Sequence, residues 1–428
     1  MSVFSPVRKL TVFRCLSSGE RVPVGVLAQN TQAVFFQYSA DYLQRYSNLS
    51  PFTLTFDNSL QQAPKTPHAG LHGVFADSLP DGWGLLLMDR VFRQQGILPQ
   101  QLTGMDRLAY VGNRGIGALD YEPVSGYLPT ADESLIDIAE LGMQAQALFD
   151  GQTTDVLAQL ANAGSSGGAR PKAQVYLRPG DLKNASTQPQ SGLEPWLVKF
   201  TTASVALGHE ESLCEAAYLV LAARAGIDVP EWQLIPAPQA SGAKHWLALK
   251  RFDCSPDGGR YHLHSLCGLL DADFRMPSMD YEDLIKASSL LCKSPAAGQA
   301  QFRRAVFNLL ALNQDDHTKN WAFLQDDRGN WRPAPFYDVT FSPSPHGEHS
   351  TSFAGFGKAP PLKAMQRLAR QANFADWQEA QQVIQDVVDA ISHWRETAAD
   401  LGVSKATRQL IGKQLDSTYR QNQGLLGK

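Results

Sequence analysis

At 428 residues the chain holds material for two or three domains, since single cores seldom grow beyond about 250–300 residues. Hydrophobic residues make up 43% and charged residues 19%, proportions that exclude intrinsic disorder as the organising principle. Thirty-eight Lys and Arg against 42 Asp and Glu leave a net charge of −4, which excludes a global basic field that would draw nucleic acid or an anionic membrane. Cys15, Cys214, Cys254, Cys267 and Cys292 are odd in number, dispersed and free of any C-x-x-C pair, as expected of reduced thiols in the cytoplasm. The start, MSVFSPVRKL, lacks the apolar core of a signal peptide, and no apolar run approaches the ~18 residues needed to cross a bilayer. A cytoplasmic protein without a membrane partner is expected.

Residues 1–130 carry short strand-like runs, TVFRC and AVFFQY, and then DSLPDGWGLLLMDRVFRQQ, a turn followed by a helix; a small α+β domain is expected. Pro80, Asp81 and Gly82 supply the turn chemistry, with Trp83 as its anchor beneath the following helix; a partner surface is the alternative for Trp83. Residues 132–149 space apolar side chains at helical intervals and predict a connecting helix. Within 131–255 a glycine-rich stretch precedes AQVYL, PWLVKF, EWQLIP and HWLALKRF, with one apolar helix near 212–225, which predicts a small sheet with a single helix. Residues 178–194 read as a surface loop, and 256–428 as mainly helical, with a last helix capped by Ser404.

Residues 312–323, LNQDDHTKNWAF, place two aspartates, a histidine, a lysine and an asparagine on the connection between a helical pattern and a strand-like WAFL. Such loops, anchored on rigid elements, are where catalytic groups collect. Asp315 and Asn320 stand five positions apart, the interval of the D-x-x-x-x-N loop of protein kinases. There a carboxylate accepts the proton of an attacking hydroxyl while an amide oxygen helps hold Mg²⁺; a solvated turn is the alternative. A hairpin through QDDRGN and WRPAPFYDVTFS would end at Asp338, eighteen residues beyond Asn320, where kinases carry a second metal-binding aspartate. An ordinary strand-ending aspartate is the other reading.

Lys199, inside the apolar strand PWLVKF, needs a counter-ion if buried, and Glu215 on the following helix is a candidate, unless the lysine snorkels to water from a sheet edge. In NAGSSGGARPKA, Gly164, Gly167 and Gly168 would let backbone N–H groups approach phosphate oxygens; a flexible linker is the alternative. Glycine loop, strand lysine, helix glutamate, linking strand, D-x-x-x-x-N and final aspartate occur in the order a kinase uses, and that order discriminates better than any single motif.

On these residues the sequence resembles the HipA family, the serine/threonine kinase toxins of bacterial toxin–antitoxin pairs. The resemblance is carried by SSGGARPKA, CEAAYLVLAARAGIDVP, KRFD, NQDDHTKN and YDVT, with GVFADSLPDGWG upstream, and runs from about residue 70 to 340. It implies an α+β, bilobal, protein-kinase-like fold with a mixed N-lobe sheet, an all-helical C-lobe and an added N-terminal α+β domain. It also implies ATP and Mg²⁺ as cofactors, a protein substrate such as an aminoacyl-tRNA synthetase, and a helix-turn-helix antitoxin partner through which alone DNA is reached.

By the same resemblance Asp315 is the base, Asn320 and Asp338 are the metal ligands, and Lys199 orients the phosphates. Arg251, Phe252 and Asp253 would lie near the nucleotide, and Ser165, with Ser166 beside it, falls on the self-phosphorylated position. His317 and Lys319 would either touch phosphate or, for His317, brace the loop. Cys214 departs from the asparagine usual before Glu215, and Lys250 stands where some members carry an acid. Asp316 is expected to point outward. A small-molecule phosphotransferase on the same scaffold and a non-catalytic co-repressor subunit are the competing readings. Cys254, His262, His264 and Cys267 sketch a metal site, but YHLHSL reads better as a strand.

Overall fold

The structure, a computed structural model, describes residues 4–130, 134–156, 158–164, 167–277 and 279–426. Strands β1 (Lys9–Cys15), β2 (Arg21–Gln29), β3 (Val34–Tyr38), β4 (Gln61–Gln62) and β5 (Leu119–Glu122) form an antiparallel sheet ordered β4-β3-β2-β1-β5. Alternation sets its faces: Leu10 and Val12 are fully buried while Lys9 is exposed. In the helix Gly82–Gln94, Trp83, Leu87 and Val91 recur every fourth residue and form one buried face. Trp83 and Leu87 enter the core of the next sheet beside Leu141 and Trp246, so the N-terminal third is packed into the middle of the chain.

That second sheet contains β6 (Ile136–Asp137), β7 (Lys172–Leu177), β8 (Asn184–Ser186), β9 (Glu194–Lys199), β10 (Trp232–Pro236) and β11 (His245–Lys250), ordered β10-β11-β9-β7-β8-β6. The mixed sheet expected here is antiparallel in every pairing. The connections β7–β8 and β10–β11 are too short for the crossover that parallel neighbours require. The helix expected over 132–149 runs from Ile138 to Phe149, with residues 131–133 outside the described residues. It starts there because Ile136 pairs with Ala185 and Asp137 caps the first turn, accepting from Ala139 N–H at 2.8 Å. Across the sheet the buried helix Glu211–Arg224 packs on β11, with Ser212 accepting from Leu247 N–H at 3.1 Å.

Among the described residues the C-terminal part is built on six helices of seven or more residues, including Tyr281–Cys292, Pro295–Ala311 and Lys405–Asn422, the last capped by Ser404. It also carries two small sheets: β12 (His262–Ser265), β14 (Ala322–Gln325) and β15 (Trp331–Pro333), and a parallel pair of β13 (Met279–Asp280) with β16 (Thr351–Ser352). No helix among the described residues is long and apolar enough to cross a membrane.

A polar seam locks the N-terminal sheet to β12 and β14. Arg14, fully buried on β1, donates to Gln325 Oε1 at 3.1 Å and to the Asp326 carbonyl at 2.8 Å. His262 Nε2 lies 2.9 Å from the Leu49 carbonyl. His264 bridges Asp77 Oδ2, 2.6 Å from Nδ1, and Ser50 Oγ, 2.8 Å from Nε2. Both histidines of the sketched metal site thus serve this seam.

Candidate active site

The helix Pro295–Ala311 ends because Leu312 takes a left-handed conformation (φ +55) that turns the chain out. The loop that follows alternates. Gln314, Asp316 and Thr318 are buried, whereas the Asp315 side chain is 68% exposed and His317, Lys319 and Asn320 are partly exposed. Asp316 is thus the reverse of expectation. Its carboxylate accepts from Tyr281 Oη at 2.5 Å, His349 Nδ1 at 2.9 Å and the Ser350 and Thr351 N–H groups at 2.8 and 3.2 Å. With that many donors converging, the buried carboxylate is an internal anchor, and its neighbour Asp315 is displayed because Asp316 is pinned beneath it.

Asn320 donates its amide N–H to the Asp315 carbonyl at 2.8 Å, which fixes the amide plane across the loop. His317 Nε2 lies 3.8 Å from Asp315 Oδ1, and its ring packs against Phe274. The segment carrying Asp338 is laced to this loop: Tyr337 Oη donates to the Lys319 carbonyl at 2.8 Å, and Ser342 Oγ donates to Asn313 Oδ1 at 2.9 Å. Asp338 is itself left-handed (φ +56), a conformation that costs a non-glycine residue about 1 kcal/mol or more and is kept where surroundings over-determine it.

What over-determines it is one ammonium. Lys199 Nζ stands 2.5 Å from Asp338 Oδ1 and 2.6 Å from Glu215 Oε1, joining β9, the helix Glu211–Arg224 and the segment after the hairpin. Burial alone would raise the Asp338 carboxyl, but Lys199 and Lys172 outweigh it and hold it well below the usual carboxylate range. Burial likewise opposes the Lys199 charge, and Asp338 and Glu215 overcome it, so the ammonium is held above its ordinary value.

Directly opposite Lys199 in the strand register is Lys172, whose ammonium is pushed down by burial and donates to the Gly167 carbonyl at 2.7 Å. Lys172, absent from the residues expected at the site, is like Lys199 a lysine in an apolar strand. Arg170 contacts Glu211, a buried acid one turn before Glu215; burial pushes the Glu211 carboxyl up to about 7, and Arg170 only partly opposes this.

Gly168 (φ +93) reaches this charge cluster, since a Cβ there would fall 2.4 Å from Lys172 Nζ. Gly167 lies against the Asp81 carboxylate, and Gly164 (φ +76) stands farther off beside Gln174 and the Arg114 carbonyl. Ser165 and Ser166 lie outside the described residues.

Arg251 and Asp253 form a closed, buried pair with contacts of 2.6 and 3.1 Å. Arg251 also donates to Gln174 Oε1 at 2.6 Å, and Asp253 accepts from Gly117 N–H at 2.7 Å, so both are engaged with protein groups. Phe252 stacks on Tyr337, next to Asp338, with ring centroids 5.5 Å apart. Lys250, the departure noted in the linker, sits in ion pairs with Glu194 and Glu231 at 3.0 and 3.3 Å.

Comparisons agree with this architecture. Residues 19–122 match the HipA N-terminal domain and residues 164–395 the HipA-like C-terminal domain. Two Sinorhizobium fredii proteins whose names mark them as inferred kinases, Y4dM and Y4mE, are 30% and 29% identical over 184 and 261 residues. These alignments span 40% and 55% of this chain and 43% and 56% of the relatives, so the chain matches about half the length of each. The solved HipA of Shewanella oneidensis, in complex with HipB and operator DNA, superposes with a TM-score of 0.69 at 17% identity and 97% coverage of both chains, a likeness of fold. With one domain match spanning more than half of its length and a second covering the N-terminal sheet, this chain belongs to the HipA family.

Proposed function

We propose that the chain is an ATP- and Mg²⁺-dependent serine/threonine protein kinase that acts as a toxin in a toxin–antitoxin pair. The observation that carries the reading is the single Lys199 ammonium held between Glu215 and Asp338, with the Asp315–Asn320 loop bonded alongside. The donor set suits the cofactors. Asp338 and Asn320 offer oxygen ligands of the kind a hard divalent cation takes, and the buried Lys172 ammonium, which donates to the Gly167 carbonyl and acts on Asp338 beside Lys199, adds a second cation for phosphate.

In this reading Lys199 and Lys172 hold the nucleotide phosphates against the sheet, and the Gly167–Gly168 backbone covers them. Asp338 and Asn320 would hold the metal, which when bound neutralises charge on the transferred group. The exposed Asp315 carboxylate accepts the proton of the acceptor hydroxyl. Its openness to solvent suits an acceptor presented by another protein, and an aminoacyl-tRNA synthetase is the substrate class the family resemblance favours. Phosphate added at Ser165 or Ser166 would bring about −1.5 to −2 charge to the loop meant to hold an anionic nucleotide, and that repulsion would silence the enzyme. A helix-turn-helix antitoxin of the HipB type is the proposed partner, and the cytoplasm the proposed location.

Purified protein incubated with Mg²⁺ and γ-labelled ATP tests the reading. Label on the chain or on a lysate protein, lost in Asp315→Ala, is expected; equal labelling of the variant, or none of either, refutes it.

A further inference from the structure

Asp81 occupies the N-cap position of the helix Gly82–Gln94, with an extended backbone (φ −120, ψ 176), yet its side chain makes no capping bond to that helix. An aspartate there ordinarily accepts from the free N–H groups of the first turn and stabilises the helix by doing so. Here the carboxylate turns instead to two other segments. Oδ1 accepts from Gly168 N–H in the glycine-rich loop, and Oδ2 accepts from Lys319 Nζ at 2.7 Å in the catalytic loop.

The turn that carries it is shaped to the same loop. Trp83 N–H donates to the Gly168 carbonyl at 3.0 Å, and the Trp83 indole N–H donates to the Lys172 carbonyl at 2.8 Å. Gly82 (φ +46) comes so close that a Cβ would lie 2.6–2.9 Å from Gly168 and Ala169. Burial would raise the Asp81 carboxyl, but Lys319, the Gly168 N–H and Lys172 outweigh it and hold it below its usual value.

We infer that Asp81 is a positioning residue for phosphoryl transfer: one carboxylate from the N-terminal third ties the glycine-rich loop to the catalytic loop and fixes Gly168 N–H and Lys319 relative to each other. The inference rests on the kinase reading above. Gly167 and Gly168 are adjacent residues without a Cβ to restrict them, and a preset position removes the ordering that phosphate would otherwise have to impose. Asp81 touches no reacting atom. It acts through Gly168 and Lys319.

Because the action runs through Lys319, a double-substitution cycle separates it from a merely structural role. Self-labelling with γ-labelled ATP and Mg²⁺ is followed under single-turnover conditions on the full chain as wild type, Asp81→Asn, Asp81→Ala, Lys319→Met and the Asp81→Asn/Lys319→Met pair. Thermal midpoints fix an assay temperature at which each is folded, and the isosteric Asn covers the case of an unstable Ala variant.

The expected result is a fall of about tenfold or more in the maximal rate for Asp81→Asn and for Lys319→Met, with the pair no slower than the worse single by more than about threefold. Asp81→Glu recovers part of the loss. Losses that multiply in the pair, an unchanged maximal rate in Asp81→Asn, or a faster one, as from a carboxylate that competes with phosphate, overturn the inference while leaving the kinase reading in place. A wild type that takes up no label on itself or on added lysate removes both.

Discussion

Two aspartate–histidine clusters in this molecule are opposites. In the seam, Ser50, His264 and Asp77 are strung together by hydrogen bonds of 2.8 and 2.6 Å, the arrangement of a hydrolytic triad, yet Ser50 and His264 are fully buried. In the loop after the helix Pro295–Ala311, His317 and Asp315 stand 3.8 Å apart and poorly engaged, with the Asp315 side chain open to solvent. Tight geometry without access makes Ser50, His264 and Asp77 a structural rivet, whereas a group that is to meet a substrate needs access before it needs close partners. The contrast warns against recognising catalytic groups by their mutual distances alone.

Each cluster can be broken separately. Asp315→Ala should produce the largest effect, a loss of phosphotransfer of about 10²–10⁴-fold with the thermal midpoint nearly unchanged, as checked by label incorporation beside calorimetry. His264→Ala should do the converse: it leaves Asp77 and Ser50 without their bridge and lowers stability by about 2–4 kcal/mol in urea titration, with labelling retained at low temperature. Loss of labelling at a temperature where this variant is folded would erase the distinction between the clusters.

Glu211 gives an intermediate case, because its carboxyl is raised to about 7 and is protonated in the folded chain where the unfolded chain is already ionised. Its contribution to stability is full below about pH 4.3 and is lost as pH rises through about 7, so Glu211→Gln should flatten the stability profile between pH 5 and 8 by roughly 1–3 kcal/mol. Ser50→Ala should be the mildest, about 1 kcal/mol, since His264 keeps Asp77.

What could be read from the sequence was what lies close along the chain. Asp315 and Asn320 share one loop, and Lys199 with Glu215 belongs to a strand and the helix that follows it, so spacing and the cost of an unpaired lysine pointed to them. The facing of Asp316 was misjudged because adjacency in a loop does not say which of two neighbours turns inward. That depends on Tyr281 and His349, each more than thirty positions away. Asp81 read as turn chemistry alone, since its partners Gly168 and Lys319 are 87 and 238 positions distant. Lys172 was within reach, because the argument made for Lys199 applies to it unchanged.

Arg14 carries a consequence for engineering. Its guanidinium is inserted from the first strand into the hairpin that begins just past the Asp315–Asn320 loop, where it meets Gln325 and Asp326. A fragment beginning near residue 130 would strip donors from that hairpin and bare the face bearing His262 and His264. Chimeras that exchange the first third between relatives should therefore fail unless the matching surface travels with it, and tags or split-protein junctions belong elsewhere in the chain.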